Sequence, residues 1–166
     1  MADNLLNRAF GMDDLPNGIM RDIYQYWLDI RGDRNMPSRA DLIPENIVRL
    51  LPHLTLVDVE EKTGRYKFRL IGTETVKTFG KDVTGKYLDE MPEVERYLKV
   101  RYEWLVREKR PYFIFDKLKW SQTFYLDYYV LGLPLSQNGQ DVTMFLFGTY
   151  YQFPNVPRTD YYNLGK

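Results

Sequence analysis

The succession of hydrophobic periodicities in this chain predicts an α+β domain: a five-stranded antiparallel sheet with helices packed on it and an extra N-terminal helix. Three observations predict it. Apolar residues recur at three- and four-residue steps before residue 32 and again after Pro92, the helical period. Tyr66 to Leu70 alternates apolar and basic residues, the period of a half-buried strand. Asn138-Gly139 separates two β-rich runs, and Asn-Gly is the pair that tight hairpins favour.

Residues 1–16 read as a flexible arm ending in Asp13-Asp14-Leu15-Pro16. The first helix is expected from Asn17 to Arg31, capped by Asn17 and ended by Gly32. Its stripe is Ile19, Met20, Ile23, Trp27 and Ile30. Ser38 and Asp41 have capping-box spacing, and Pro44 suits the start of a short helix to about Leu50. Leu54–Val59 and Tyr66–Leu70 form a hairpin, with Tyr66, Phe68 and Leu70 on one face. Residues 72–91 read as a short helical stretch and loop punctuated by Gly72, Gly80 and Gly85. A helix follows from Pro92 to about Glu108, then strands at Tyr112–Trp120, Phe124–Leu135 and Val142–Tyr151. The domain is thus drawn at 17–152, with a tail over 153–166.

The composition narrows the function. The chain has 166 residues, enough for one domain with a real core. Lys plus Arg equals Asp plus Glu at 23 each, so no excess of positive charge selects for nucleic acid. There is no cysteine, which removes thiolate nucleophiles, disulfides and Cys-based metal sites. One histidine cannot build a multi-His metal site. No run is long and apolar enough for a membrane span, and the first twenty residues lack a secretory core, so a cytoplasmic protein is expected.

No catalytic constellation is visible. Asp58, Asp116, Asp127 and Asp141 are scattered, and the glycines match no phosphate-cradling loop. The chain therefore reads as a binding protein and not an enzyme. His53, between a short helix and a strand, reads first as a residue that pins that junction, and second as a pH sensor. The most telling residue is Arg101. On the 92–108 helix, Val94, Leu98 and Leu105 share a face, and Arg101 falls within it. A buried charge needs a partner: an internal carboxylate such as Asp116 or Asp127, or the carboxylate or phosphate of a ligand, unless the aliphatic stem carries the guanidinium out to solvent.

Several short runs also carry a family resemblance. They are Arg31-Gly32, Pro37-Ser38-Arg39-Ala40-Asp41, Leu50-Leu51-Pro52-His53-Leu54, Phe68-Arg69-Leu70-Ile71-Gly72-Thr73, Gly80-Lys81-Asp82-Val83-Thr84-Gly85-Lys86 and Leu133-Pro134-Leu135-Ser136. In this order the chain resembles a single-domain bacterial PAS-like family of the alphaproteobacterial type, over roughly residues 22–150. The resemblance implies a PAS fold and a sensory or signalling role, with a cavity between the long helix and the sheet. Its ligand-binding candidates here are Arg101, Tyr97, Leu98, Trp104, Tyr66, Phe68, Phe79 and Met91. The chain lacks the cysteine of flavin-adduct light sensors, and His53 is not on the long helix where haem-binding PAS domains carry their ligand. Neither covalent flavin nor haem is expected, and the cofactor is unknown. The resemblance implies little chemistry by itself; the partners expected of such a sensor are a small-molecule ligand, a protein signalling partner and a second copy in a homodimer, and the composition and hydropathy give no expectation of nucleic acid or membrane. The alternatives are a ligand-free interaction module or, further off, a small cavity enzyme.

Overall fold

The computed structural model describes residues 5–117 and 127–152. Helix α1 (Gly18–Arg31) begins where Asn17 Oδ1 accepts the Met20 N–H at 3.0 Å, and ends at Gly32, whose φ is 60°. Strands β1 (Leu54–Val59) and β2 (Tyr66–Ile71) precede the short helix α2 (Thr73–Phe79) and the long helix α3 (Pro92–Glu108). Strands β3 (Tyr112–Lys117), β4 (Asp127–Leu135) and β5 (Met144–Gln152) complete one antiparallel sheet in the order β2-β1-β5-β4-β3. The expected strand ends at 118–120 and 124–126, and the tail, lie outside the described residues.

The pleat splits the core in two. On one face, α1 lays Met20, Ile23 and Trp27 on a cluster with Leu54, Leu56, Leu131, Leu133 and Leu146. The Trp27 indole N–H donates to the Pro134 carbonyl at 3.1 Å, so this large side chain is buried without an orphaned donor. On the other, inner face, α3 presses Tyr102, Trp104 and Leu105 into a cluster with Val57, Phe68, Tyr112, Val130, Phe145 and Phe147. Helices therefore cover both faces, as the two stripes require.

Two glycines let elements approach closely. A Cβ on Gly132 would lie 2.4 Å from the Tyr112 ring, and one on Gly72 would lie 2.4 Å from the Pro52 carbonyl oxygen.

Three expectations need correction. The β1–β2 register shifts between Leu56 and Val57. The irregularity puts Ile71 in the inner core and leaves Leu70 44% exposed, so Leu70 does not share the face of Phe68. The helix expected from Pro44 to Leu50 is a 3-10 turn over Pro44–Asn46, followed by a second at Leu51–His53. Residues 5–15, read as an arm, lie against the domain: Leu6 and Leu15 are buried, and Phe10 meets Tyr24 and Phe113 with ring centres at 5.1 and 5.9 Å. The segment has no helical or strand period because it is anchored by isolated side chains. The outer edge of β2 is covered by the loop at 85–87, through Phe68 N–H to Lys86 O at 2.9 Å and Gly85 N–H to Phe68 O at 2.7 Å.

Candidate functional site

Arg101 reaches from α3 to the inner face of the sheet. Its Nη2 donates to Asp116 Oδ2 at 2.6 Å, and its Nη1 to the Tyr128 hydroxyl at 2.7 Å. The pleat selects this carboxylate: Asp116 and Tyr128 are cross-strand partners on the inner face, whereas Asp127 pairs with Lys117 one position along. Burial would lower the affinity of Arg101 for its proton, but Tyr128, Tyr112 and Asp116 more than offset it, and its pKa rises above the ordinary arginine value.

A second polar group continues the seam. The Tyr128 ring stacks on Tyr151 at 6.0 Å, and the Tyr151 hydroxyl lies 3.1 Å from Thr75 Oγ1 on α2. Thr75 Oγ1 lies 3.2 Å from Thr149 Oγ1, which donates to the His53 carbonyl at 3.3 Å. Burial pushes the hydroxyls of Tyr102, Tyr112, Tyr128 and Tyr151 above the usual tyrosine value. The arrangement thus combines protonated hydroxyls with the Arg101–Asp116 ion pair. It can accept and donate hydrogen bonds.

The sequence candidates divide. Tyr66 and Phe68 join Arg101 on the inner face, with Tyr66 edge-on to Tyr102 at 5.2 Å. Leu98 and Met91 are half-buried against the same cluster. Phe79 is half-buried at the end of α2. Tyr97 is half-buried too, and Arg96 lies over its ring at 4.9 Å. Trp104 is fully buried, edge-on to Tyr112 at 5.8 Å, with its indole N–H donated to Asn7. Tyr102, one turn after Leu98, was not among the candidates, although it packs on Tyr66, Phe145 and Phe147. His53 pins its junction through its backbone carbonyl and a stacked contact with Tyr150 at 5.9 Å; its buried Nδ1 has no hydrogen-bond partner among the described residues.

Elsewhere, a groove of about 620 Å³ opens between the ends of α1 and α3 and the β4–β5 loop, bordered by Trp27, Arg31, Arg110 and Asp141. It contains none of the sequence candidates. Among the described residues, no His/Cys/Asp/Glu cluster could hold a metal ion, and no helix is long and apolar enough to cross a membrane.

No curated protein sequence matches the chain. Among solved structures, it is similar to a sensory box sensor histidine kinase from Vibrio cholerae, at 15% identity and a TM-score of 0.48, covering 67% of this chain and 92% of that one. It is also similar to the PAS domain from Bordetella pertussis BvgS, at 19% identity and a TM-score of 0.41, covering 67% of this chain and 86% of that one. The PAS domain family matches residues 17–150, from the cap of α1 to two residues short of the end of β5, and the chain belongs to that family of sensory and signalling domains.

Proposed function

We propose that this PAS domain is a sensor that works by non-covalent binding and not by catalysis, with its ligand-responsive element at the seam between α3 and the sheet. The observation that carries the reading is Arg101: a guanidinium 11% exposed, joined to a carboxylate 26% exposed. Such a pair is strong enough to hold one arrangement, and an incoming carboxylate or phosphate can take the place of Asp116 on the same fork. Tyr66, Phe68, Leu98 and Met91 lie on the same face and supply an apolar wall, with Tyr97, Phe79 and Trp104 at its margins. Occupancy would shift α3 relative to β3, and the change would leave through a protein partner or a second copy bound at α1 and the outer sheet face. The reading carries a cytoplasmic setting with it.

One observation favours a second reading. Arg101 already has its counter-charge inside the fold, as a ligand-free interaction module requires. A thermal-shift titration with small carboxylates and phosphate esters separates the two. A compound that raises the Tm of the full chain but not of Arg101→Met supports the sensor; a panel that shifts neither supports the interaction module.

A further inference from the structure

The groove between the ends of α1 and α3 and the β4–β5 loop, about 620 Å³, has the size of a small-molecule site. Arg31 lines it, and its charge has no counterpart. Among the described residues its side chain makes no ion pair and no hydrogen bond, and its Nε is buried without an acceptor. The other partly buried arginines, Arg39, Arg65 and Arg101, each donate to an oxygen. Nor is Arg31 spent on the negative end of α1, because Arg34 donates to the Ile30 and Arg31 carbonyls. Its guanidinium lies 5.3 Å from the centre of the Trp27 ring, and Trp27 is held in turn by the Pro134 carbonyl. The cation is therefore positioned before any anion arrives.

The α3 wall of the groove carries a second cation. Lys109 ends α3 with φ 56° and ψ 32°, and it is the one non-glycine residue at positive φ among the described residues. Glycine stands at the corresponding position after α1 and α2, as Gly32 and Gly80. A lysine here keeps an ammonium at the groove at the expense of backbone strain. Its nearest acid, Asp141, is 4.0 Å away and already accepts from Asn138 Nδ2 at 3.1 Å. Two further lining side chains, the carboxamides of Asn35 and Gln140, make no hydrogen bond among the described residues.

We propose that this groove binds a small phosphate monoester, its phosphate taken by Arg31 and Lys109 and its polar body by Asn35 and Gln140. A phosphate monoester carries about two negative charges and three acceptor oxygens, enough for a guanidinium and an ammonium together. A carboxylate is filled by a single guanidinium fork. The site is distinct from the Arg101 seam and stands whether or not a ligand binds there.

The test is 1H–15N NMR of the full chain, read at the Arg31 Nε–H and the Trp27 indole N–H and, in Arg31 variants, at Trp27 alone. The probes are glucose 6-phosphate, glucuronate as its carboxylate counterpart, and glucose. Glucose 6-phosphate is expected to shift both signals saturably at millimolar concentration. Glucuronate is expected to bind at least ~10-fold more weakly, and glucose not at all. Arg31→Gln and Lys109→Gly are each expected to weaken binding at least ~10-fold, the loss of one charge-assisted hydrogen bond, and Arg101→Met to leave it unchanged. Lys109→Gly separates binding from folding. Glycine relieves the left-handed backbone, so its Tm is expected at or above the wild-type value while binding falls. No saturable shift, equal affinity for the phosphate and the carboxylate, or binding that survives in both groove variants overturns the proposal. Loss of the shift in Arg101→Met alone also overturns it, by moving the ligand to the seam.

Discussion

Arg101 Nη2 and Asp116 Oδ2 meet at 2.6 Å across the boundary between α3 and β3, and Tyr128 closes the triangle at 2.7 Å from Nη1. The apolar stripe of α3 tolerates a charge because these two acceptors replace the water it loses.

Removing either residue breaks a charge-assisted hydrogen bond at a largely buried site. Breaking a buried pair costs about 3–5 kcal/mol, and water access to Asp116 reduces this to about 2 kcal/mol for Arg101→Met. The double variant Arg101→Met/Asp116→Leu is expected to recover most of the loss. Urea midpoints at constant m-value measure both.

Alkaline pH is expected to destabilise the fold. The pKa values of Tyr102, Tyr112, Tyr128 and Tyr151 are all raised, chiefly by burial. Below about pH 10 these hydroxyls are protonated in both folded and unfolded chains, and their contribution is fully present. Above it the unfolded chain releases protons that the folded chain retains, so stability falls as pH rises. Absorbance at 295 nm then shows a group of tyrosines that titrate only with unfolding. Smooth titration of all tyrosines in the folded state contradicts this.

Close approach at Gly132 predicts a steep substitution cost. Gly132→Ala puts a methyl 2.4 Å from the buried Tyr112 ring and is expected to cost at least about 2 kcal/mol. Gly148→Ala meets the Ile23 γ-methyl at 2.9 Å and its δ-methyl at 3.0 Å, a less severe overlap than at Gly132, so its cost is smaller. Thermal denaturation of the two variants side by side gives the order.

The cap of α1 is a simpler case. Asn17→Ala removes the acceptor for the Met20 N–H and is expected to cost about 1 kcal/mol, whereas Asn17→Asp is near neutral. Chemical denaturation distinguishes them.

Much of this architecture is legible in the sequence, for local reasons. The extent of α3 follows from Pro92 and the stripe, and that of β1 from a β-rich run; the helix spans Pro92–Glu108, close to the expected ends, and the strand Leu54–Val59. The need of Arg101 for a partner follows from helical geometry alone. The choice of Asp116 over Asp127 does not, because it depends on the β3–β4 register. The misplacement of Leu70 has the same origin, a register shift that only pairing reveals. Tyr102 had a readable signal in its spacing from Leu98. The Thr75, Thr149 and Tyr151 cluster had none, since α2 and β5 are brought together only by the fold. Leu6, Asn7 and Phe10 escaped for a related reason: single anchors produce no period.

Native mass spectrometry of the purified full chain, beside its denatured mass, reads directly whether the seam at Arg101 holds a small molecule. A ligand bound there gives an added mass that leaves on denaturation and is missing from Arg101→Met. A clean unliganded mass for the wild type, unchanged after exposure to the low-molecular-weight fraction of its own cells, would contradict it.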